Sequence, residues 1–161
     1  MTEQREASED VFMTRIGQAV MLLHGGDREE ARNRFTVLWS EIGDEGDALH
    51  RCTLAHYMAD TQDDPADELA WDLRALTAAR ALADEGAAGD RDALAMRAFY
   101  PSLHLNLAAD YMKLQRPGAA RDHLERARTA SAVLADDSTD DGYGGGVRAA
   151  IGRLERRLRE W

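Results

Sequence analysis

The chain has 161 residues, of which 44% are hydrophobic and 31% are charged, a balance typical of one globular domain rather than a disordered segment. Its net charge of −10 disfavours sequence-independent binding of nucleic acid, which needs Lys and Arg to neutralise phosphates, and suits a basic partner instead. No apolar run approaches the roughly 18 residues that cross a bilayer, so we expect no membrane association and a cytoplasmic protein.

Two helices are predicted between residues 8 and 43. Ser8, followed by two acids, suits the N-cap position of the first helix. Its apolar stripe recurs at helical spacing and consists of Phe12, Ile16, Ala19, Val20 and Leu23. Gly25 and Gly26 end this helix, and Asp27 with Glu30 three residues later resembles a capping box that starts the next. The second stripe runs to Gly43 and consists of Ala31, Phe35, Leu38 and Ile42.

A second pair of helices is predicted between residues 47 and 85. Asp47 can cap the first of them, whose apolar face holds Leu54, Ala55 and Met58. Asp64-Pro65 indicates the start of the other, because proline is favoured at the first helical position. Its apolar stripe consists of Leu69, Leu73, Leu76 and Ala79. We expect a loop at residues 86–90 after it.

A third pair occupies residues 90–135. The helical pattern resumes at Arg91 and includes Pro101, where we favour a kinked continuation over a break. Pro117-Gly118 marks the turn into the next helix, and residues 136–146 are predicted to form a flexible, glycine-rich loop. The last helix, residues 147–161, has arginines around an apolar stripe of Val147, Ile151, Leu154, Leu158 and Trp161. The fold class is therefore all-α, with seven helices.

Residues 101–132 resemble a tetratricopeptide repeat. In that family the first helix carries an aromatic residue, then Asn-Leu-Gly, then Tyr, and the second carries a small-large-small apolar set. Here His104, Asn106-Leu107-Ala108 and Tyr111 match the first helix, and the second helix is matched by Ala120, Leu124 and Ala127. The resemblance implies one domain over residues 1–161, with repeats at 8–43, 47–85 and 90–135 in a right-handed superhelix and a capping helix at 147–161.

The same resemblance implies binding rather than catalysis, with no cofactor. In this family the first helix of each repeat lines a concave groove that holds a protein or peptide segment. The residues carried onto that groove are Ile16, Val20, Leu23, Cys52, His56, Asp60, Leu105, Asn106, Ala109 and Lys113. Asn106 inherits a hydrogen bond to the bound backbone, and the acidic surface suits a basic partner. Ile16, Val20 and Leu23 fit a core stripe equally well, because apolar helical stripes usually face a core.

Two other functions stay open from the residues alone. Self-association into a homodimer could use Trp39, Trp71 or the terminal helix. A metal site could use Cys52 and His56, which are four residues apart, but it needs a third ligand such as His104 or Asp60. Cys52 is the only cysteine, so it forms no intramolecular disulfide, and His104 alone is read as a core histidine.

Overall fold

A computed structural model describes the backbone of residues 2–43, 46–85, 91–137 and 142–161. Side chains are described for residues 11–43, 46–83, 96–133 and 146–161. The predicted loop at residues 86–90 and the side chain of Ser8 lie outside these ranges.

Seven α-helices account for most of the described chain, and the described ranges contain no β-strand, which confirms the all-α prediction. The helices are α1 (Thr2–His24), α2 (Arg28–Ile42), α3 (Ala48–Asp60), α4 (Pro65–Glu85), α5 (Arg91–Lys113), α6 (Pro117–Asp137) and α7 (Gly142–Arg159). None of the helices in the described ranges combines the length and the apolar character that crossing a bilayer requires.

Three aspartates start helices as their positions predict. Asp27 Oδ1 accepts a hydrogen bond from the Glu30 backbone N–H at 3.3 Å. Asp47 Oδ1 accepts from the backbone N–H of Leu49 at 2.8 Å and from that of His50 at 3.2 Å. Asp64 Oδ1 accepts from the Ala66 backbone N–H at 2.8 Å. These side chains supply acceptors for N–H groups that have no partner within their own helix, and so fix where each helix begins.

Two predicted boundaries are wrong. α1 begins at Thr2, so Ser8 lies inside a helix rather than at its cap; residues 2–7 contain helix-forming Glu, Gln, Arg and Ala and no helix breaker. The predicted loop at 136–146 is mostly helical, because α6 extends to Asp137 and α7 starts at Gly142. The glycines of α7 cost only about 0.5–1 kcal/mol each in a helix, which the packing of the adjoining apolar stripe offsets.

α5 runs without interruption from Arg91 to Lys113 and includes Pro101, which is buried. The predicted continuation through the proline is confirmed. A proline lacks the N–H that would bond to the carbonyl four residues earlier, so this helix tolerates the loss of one backbone hydrogen bond. Burial of neighbours such as Leu103 and Leu107, at 1% and 0% exposure, holds the helix in place around it.

Helices adjacent in the sequence pack against each other throughout the described chain, and α1 also contacts α3 while α5 contacts α7. The core divides into three clusters along the chain. The first joins α1 and α2 to α3, with Phe35 and Leu54 fully buried. The second lies among α3, α4 and α5, and the third joins α5 and α6 to α7. Val147, Ile151, Leu154 and Leu158 of α7 all belong to the third cluster.

Trp39 of α2 and Trp71 of α4 contact each other edge to face, with ring centroids 5.0 Å apart. Both rings pack against the first cluster, and so they connect the first two pairs of helices. These tryptophans and the residues Val147, Ile151, Leu154 and Leu158 of α7 are thus engaged within the chain, whereas Trp161 is 54% exposed. They do not provide the free apolar face that the homodimer hypothesis needs at those positions.

Candidate functional site

Two of the predicted groove residues lie in the core. Ile16 is 2% exposed within the first cluster, and Cys52 is fully buried within the second. Val20 and Leu23 are partly buried and pack against the same cluster as Ile16. The apolar stripe of α1 therefore faces the core, as the apolar side of an amphipathic helix usually does. Cys52 is buried because α3 turns it toward α4 and α5 rather than outward.

Six predicted residues on α3 and α5 keep access to solvent. They are His56, Asp60, Leu105, Asn106, Ala109 and Lys113, all half-buried or exposed. Leu105 and Ala109 rest their inner sides on the third cluster. The other four, His56, Asp60, Asn106 and Lys113, are polar, and we call them the polar face.

One contact joins the two helices of the polar face. The side-chain amide Nδ2 of Asn106 lies 3.4 Å from Nδ1 of His56. An amide nitrogen can only donate, so Nδ1 of His56 accepts and its ring proton lies on Nε2. Burial lowers the pKa of His56, which keeps this imidazole neutral and able to accept, while Asp60 opposes that effect. The pair places side chains fifty residues apart in the sequence on one surface.

Charges near the ends of α1, α3 and α5 act on Asp60. Burial raises the pKa of this carboxyl group, and Glu68 adds to that effect, whereas the charges of His56, His24 and Lys113 lower it. His24 is the last residue of α1, and Lys113 is the last residue of α5. Side chains from the first helix of all three pairs thus act on one another here.

Lys113 is tied to α4 rather than pointing freely outward. Its Nζ donates to Glu68 Oε1 at 2.7 Å, and this hydrogen bond raises the pKa of Lys113. Glu68 is mostly shielded, with a side chain 18% exposed, whereas that of Lys113 is 54% exposed. The second helix of the middle pair therefore contributes to a surface that the resemblance assigned to first helices alone.

Behind the polar face, two aspartates share a hydrogen bond. Asp72 of α4 is 4% exposed and Asp110 of α5 is 2% exposed, and we call them the carboxyl pair. Burial raises the pKa of both groups. Their mutual hydrogen bond raises the pKa of Asp72 further and lowers that of Asp110. This pattern assigns the proton to Asp72, which donates, and the charge to Asp110, which accepts.

The sequence prediction missed the carboxyl pair, although a signal for it was present. Asp72 lies three residues after Leu69 and four before Leu76, and Asp110 lies three after Leu107. These spacings place both acids on apolar helical stripes. The predicted stripe used Leu73 instead, which is 37% exposed.

A second buried pair lies on the other side of α5. Nδ1 of His104 and Nδ1 of His123 on α6 are 3.0 Å apart, so one ring donates and the other accepts. Tyr111 stacks on His123 with centroids 5.4 Å apart. Burial lowers the pKa of both histidines, that of His104 to about 4. The prediction that His104 is a core histidine with a satisfied partner is confirmed, and we call these two residues the histidine pair.

Within the ranges that have described side chains, no group of three or more His, Cys, Asp or Glu is arranged to hold a metal ion. Burial raises the pKa of the Cys52 thiol to about 12, so the thiolate that zinc requires is strongly disfavoured. His50, the other histidine of α3, stacks on Phe12 at 4.9 Å between centroids. The residues present do not fit the metal hypothesis.

Comparison of the chain with known family models, with curated proteins and with solved structures finds no match. The chemistry of the site therefore rests on its own residues. The polar face offers an amide, a neutral imidazole, a carboxylate and an ammonium group, which can hydrogen-bond a polar ligand from α3 and α5 at once. The carboxyl pair behind it adds buried negative charge.

Proposed function

We propose that the chain is a helical-repeat protein of the tetratricopeptide type that binds a protein or peptide segment along the first helices of its hairpins. Three consecutive helix pairs followed by a packed terminal helix are consistent with such a stack. The same hypothesis includes the right-handed superhelix, the concave groove and the cytoplasmic location. It assigns binding rather than catalysis.

The observation that carries the proposal is the contact between Asn106 and His56, supported by the charges of His24 and Lys113 that lower the pKa of Asp60. A bound segment needs one continuous surface built from successive repeats. The contact between α3 and α5, with the charges of α1 and α5 that act on Asp60, supports such a surface. Asn106 and the neutral His56 offer donors and acceptors suited to a peptide backbone.

The test is selection from a displayed library of random decapeptides, followed by calorimetric measurement of the binders. We expect wild-type protein to enrich a peptide family. Asn106→Ala or His56→Ala should weaken its binding about tenfold or more, since each removes a half-buried hydrogen-bonding group that the bound peptide would cover. Asn33→Ala, an exposed asparagine on α2, is the matched control and is expected to leave affinity unchanged. Equal affinity in all four proteins, each folded by circular dichroism, contradicts the proposal.

A second candidate, self-association, is favoured by the first helix pair. Large apolar side chains on its outer surface are exposed to solvent: Val11 at 59%, Met13 at 39%, Met21 at 74% and Val37 at 53%. Exposed apolar side chains of this size are candidates for a contact with a second copy of the chain. Light scattering of wild-type and Met21→Lys proteins tests this candidate. A monomer at all micromolar concentrations rules it out, whereas a dimer that Met21→Lys dissociates supports it.

A further inference from the structure

A groove runs between α6 and α7, two helices that contribute no residue to the polar face. It contains a cavity of about 400 Å³, where residues 121–128 face residues 155–161, and a cavity of about 330 Å³, where residues 128–132 face residues 148–155. The two helices are therefore antiparallel, and we call the space between them the terminal groove. Its length is about 16 Å, at 1.5 Å for each residue of α6 along it. A peptide of about five residues in extended conformation covers that distance.

The terminal groove has charged walls above an apolar floor. Leu124 and Leu158 lie in the floor of the first cavity, at 4% and 3% exposure, and Ile151 lies in that of the second. Trp161 lines the first cavity and is 54% exposed. Among the described side chains, the walls consist of four exposed arginines and two glutamates: Arg121, Arg128, Arg148, Arg159, Glu125 and Glu155. A ligand can thus reach cationic donors and an aromatic ring from solvent.

Two of these arginines are positioned by contacts across the groove. Nη2 of Arg121 donates to the backbone carbonyl of Leu158 at 3.5 Å. Nη2 of Arg128 forms an ion pair with Glu155, and both residues line both cavities. The side chain of Arg128 is still 63% exposed, and a guanidinium group has five N–H donors, so one contact leaves others for a ligand. Arginines that are already held in place lose less conformational entropy when a ligand binds.

The charge of this region is opposite to that of the chain as a whole. Residues 147–161 contain five Arg and two Glu, in a protein whose net charge is −10. Arginine forks match carboxylates, so this surface is complementary to Asp or Glu side chains. A nucleic acid is less suitable, because Glu125 and Glu155 line the same groove and would repel a continuous row of phosphates. A peptide can place uncharged residues beside these glutamates and carboxylates beside the arginines.

We propose that the terminal groove binds an acidic peptide segment of a partner protein. Carboxylates of the segment pair with Arg121 and Arg159 at one end of the groove and with the free N–H donors of Arg128 at its middle. An apolar side chain of the segment packs on Trp161. This inference goes beyond the proposed function, because the terminal groove is a second surface and its partner has the opposite charge to that expected for the first helices.

The test is selection from a displayed library of random hexapeptides, followed by fluorescence anisotropy of the enriched peptides. Arg121→Gln/Arg159→Gln removes two charges from the groove, whereas Arg153→Gln/Arg157→Gln removes two from exposed positions of α7 that line neither cavity. We expect wild-type protein to enrich a family rich in Asp and Glu. The groove variant should bind it at least about fivefold more weakly than the control variant does.

Several outcomes of the selection overturn this inference. They are the absence of an acidic family, equal losses in the two double variants, and an acidic family whose binding is lost in Asn106→Ala protein. The last result would place those peptides on the polar face and would leave the proposed function intact. Tighter binding of a deoxythymidine decamer than of the acidic peptides would replace the peptide with a nucleic acid.

A variant that gains affinity separates binding from a loss of folding. Glu125→Gln removes a negative charge from the groove, and Glu160→Gln removes one from an exposed position of α7 that lines neither cavity. We expect Glu125→Gln to bind the enriched acidic peptides about threefold more tightly than wild type, and Glu160→Gln to differ less. The gain should disappear at 500 mM NaCl, since salt screens exposed charges. Unchanged or weaker binding by Glu125→Gln contradicts the assigned groove.

Discussion

The carboxyl pair and the histidine pair lie on different sides of the same helix. Asp110 and His104 are six residues apart on α5, which separates their directions by about 120° around the helix. One side chain meets Asp72 of α4 and the other meets His123 of α6. Burial disfavours the charged form in both pairs. It therefore favours the protonated carboxyl group in one pair and the neutral imidazole in the other.

The two pairs differ in their connection to the surface. In the histidine pair, one Nδ1 donates to the other and Tyr111 covers the ring of His123. In the carboxyl pair, Asp110 is hydrogen-bonded to both Asp72 and Glu68, and Glu68 accepts from Lys113 of the polar face. The histidine pair is thus closed within the core, whereas the carboxyl pair belongs to a polar network that reaches a solvent-exposed side chain.

Removal of the residue between the two pairs should affect both. Leu107 is fully buried on α5 between His104 and Asp110. We expect Leu107→Ala to lower the free energy of unfolding by about 2–5 kcal/mol, because it leaves a cavity in the core. Leu73→Ala, at a position 37% exposed, is the control and should cost less than about 1 kcal/mol. Urea denaturation at pH 7 measures both, and equal losses would contradict the assigned packing.

A closed pair should be sensitive to the loss of one member. We expect His123→Ala to lower the free energy of unfolding by about 1–3 kcal/mol, since Nδ1 of His104 is left buried without a partner. The lost stacking on Tyr111 adds to this cost. Asp122→Ala, at the exposed neighbouring position of α6, should change stability little. A His123→Ala protein as stable as this control would show that the histidine contact contributes nothing to folding.

The presence of the helices could be predicted from this sequence, because it depends on local features such as capping residues and glycines. Asp27, Asp47 and Asp64 cap helices where their spacing indicates, and Gly26, with φ of 95°, follows the end of α1 as predicted. Helix length was less predictable at Asp137 and Gly142. α7 begins within a glycine-rich stretch, and its apolar stripe from Val147 onward is buried, which the glycine content of the stretch does not indicate.

The candidate site could be predicted only in part, because it depends on which side of each helix faces the core. The resemblance to a tetratricopeptide repeat identified His56 and Asn106, which do meet. It could not indicate that Cys52 turns inward, since a shift of one position on a helix rotates a side chain by about 100°. Asp72 and Asp110 were overlooked because acids are expected outside, yet their place on apolar stripes marks them as buried.

The pH dependence of stability should distinguish the two pairs. Because the carboxyl pKa values are raised in the folded chain, it holds protons that the unfolded chain has lost. The contribution of the carboxyl pair to the free energy of unfolding therefore falls as pH rises from about 4, the ordinary pKa of Asp, through about 6, the pKa of Asp110. Lowered histidine pKa values act in the opposite direction: stability is lost as pH falls from about 6.5 toward about 4 for His104.

Asp72→Asn/Asp110→Asn removes only the first contribution. We therefore expect the free energy of unfolding of this variant, relative to wild type, to increase from pH 4.5 to pH 8 by about 1–2 kcal/mol. Urea denaturation at pH 4.5, 6 and 8 measures the difference, with Asp67→Asn, which replaces an exposed acid of α4, as the control. If this difference in free energy of unfolding did not change with pH, the raised carboxyl pKa values of the folded protein would be contradicted.

The smallest expected effect is that of Asp72→Asn at pH 5. An asparagine amide has the shape of a protonated aspartic acid and donates its N–H to Asp110 as the Asp72 hydroxyl does. We expect the free energy of unfolding to change by less than about 1 kcal/mol, whereas Asp72→Ala leaves Asp110 with no donor and should cost about 1–3 kcal/mol. Both variants lack the carboxyl group of Asp72, but only asparagine keeps its size and a hydrogen-bond donor. If Asp72→Asn destabilised the protein as much as Asp72→Ala does, the assignment of Asp72 as the donor would be wrong. The pair would then have to be held by other contacts, such as the hydrogen bond between Asp110 and Glu68.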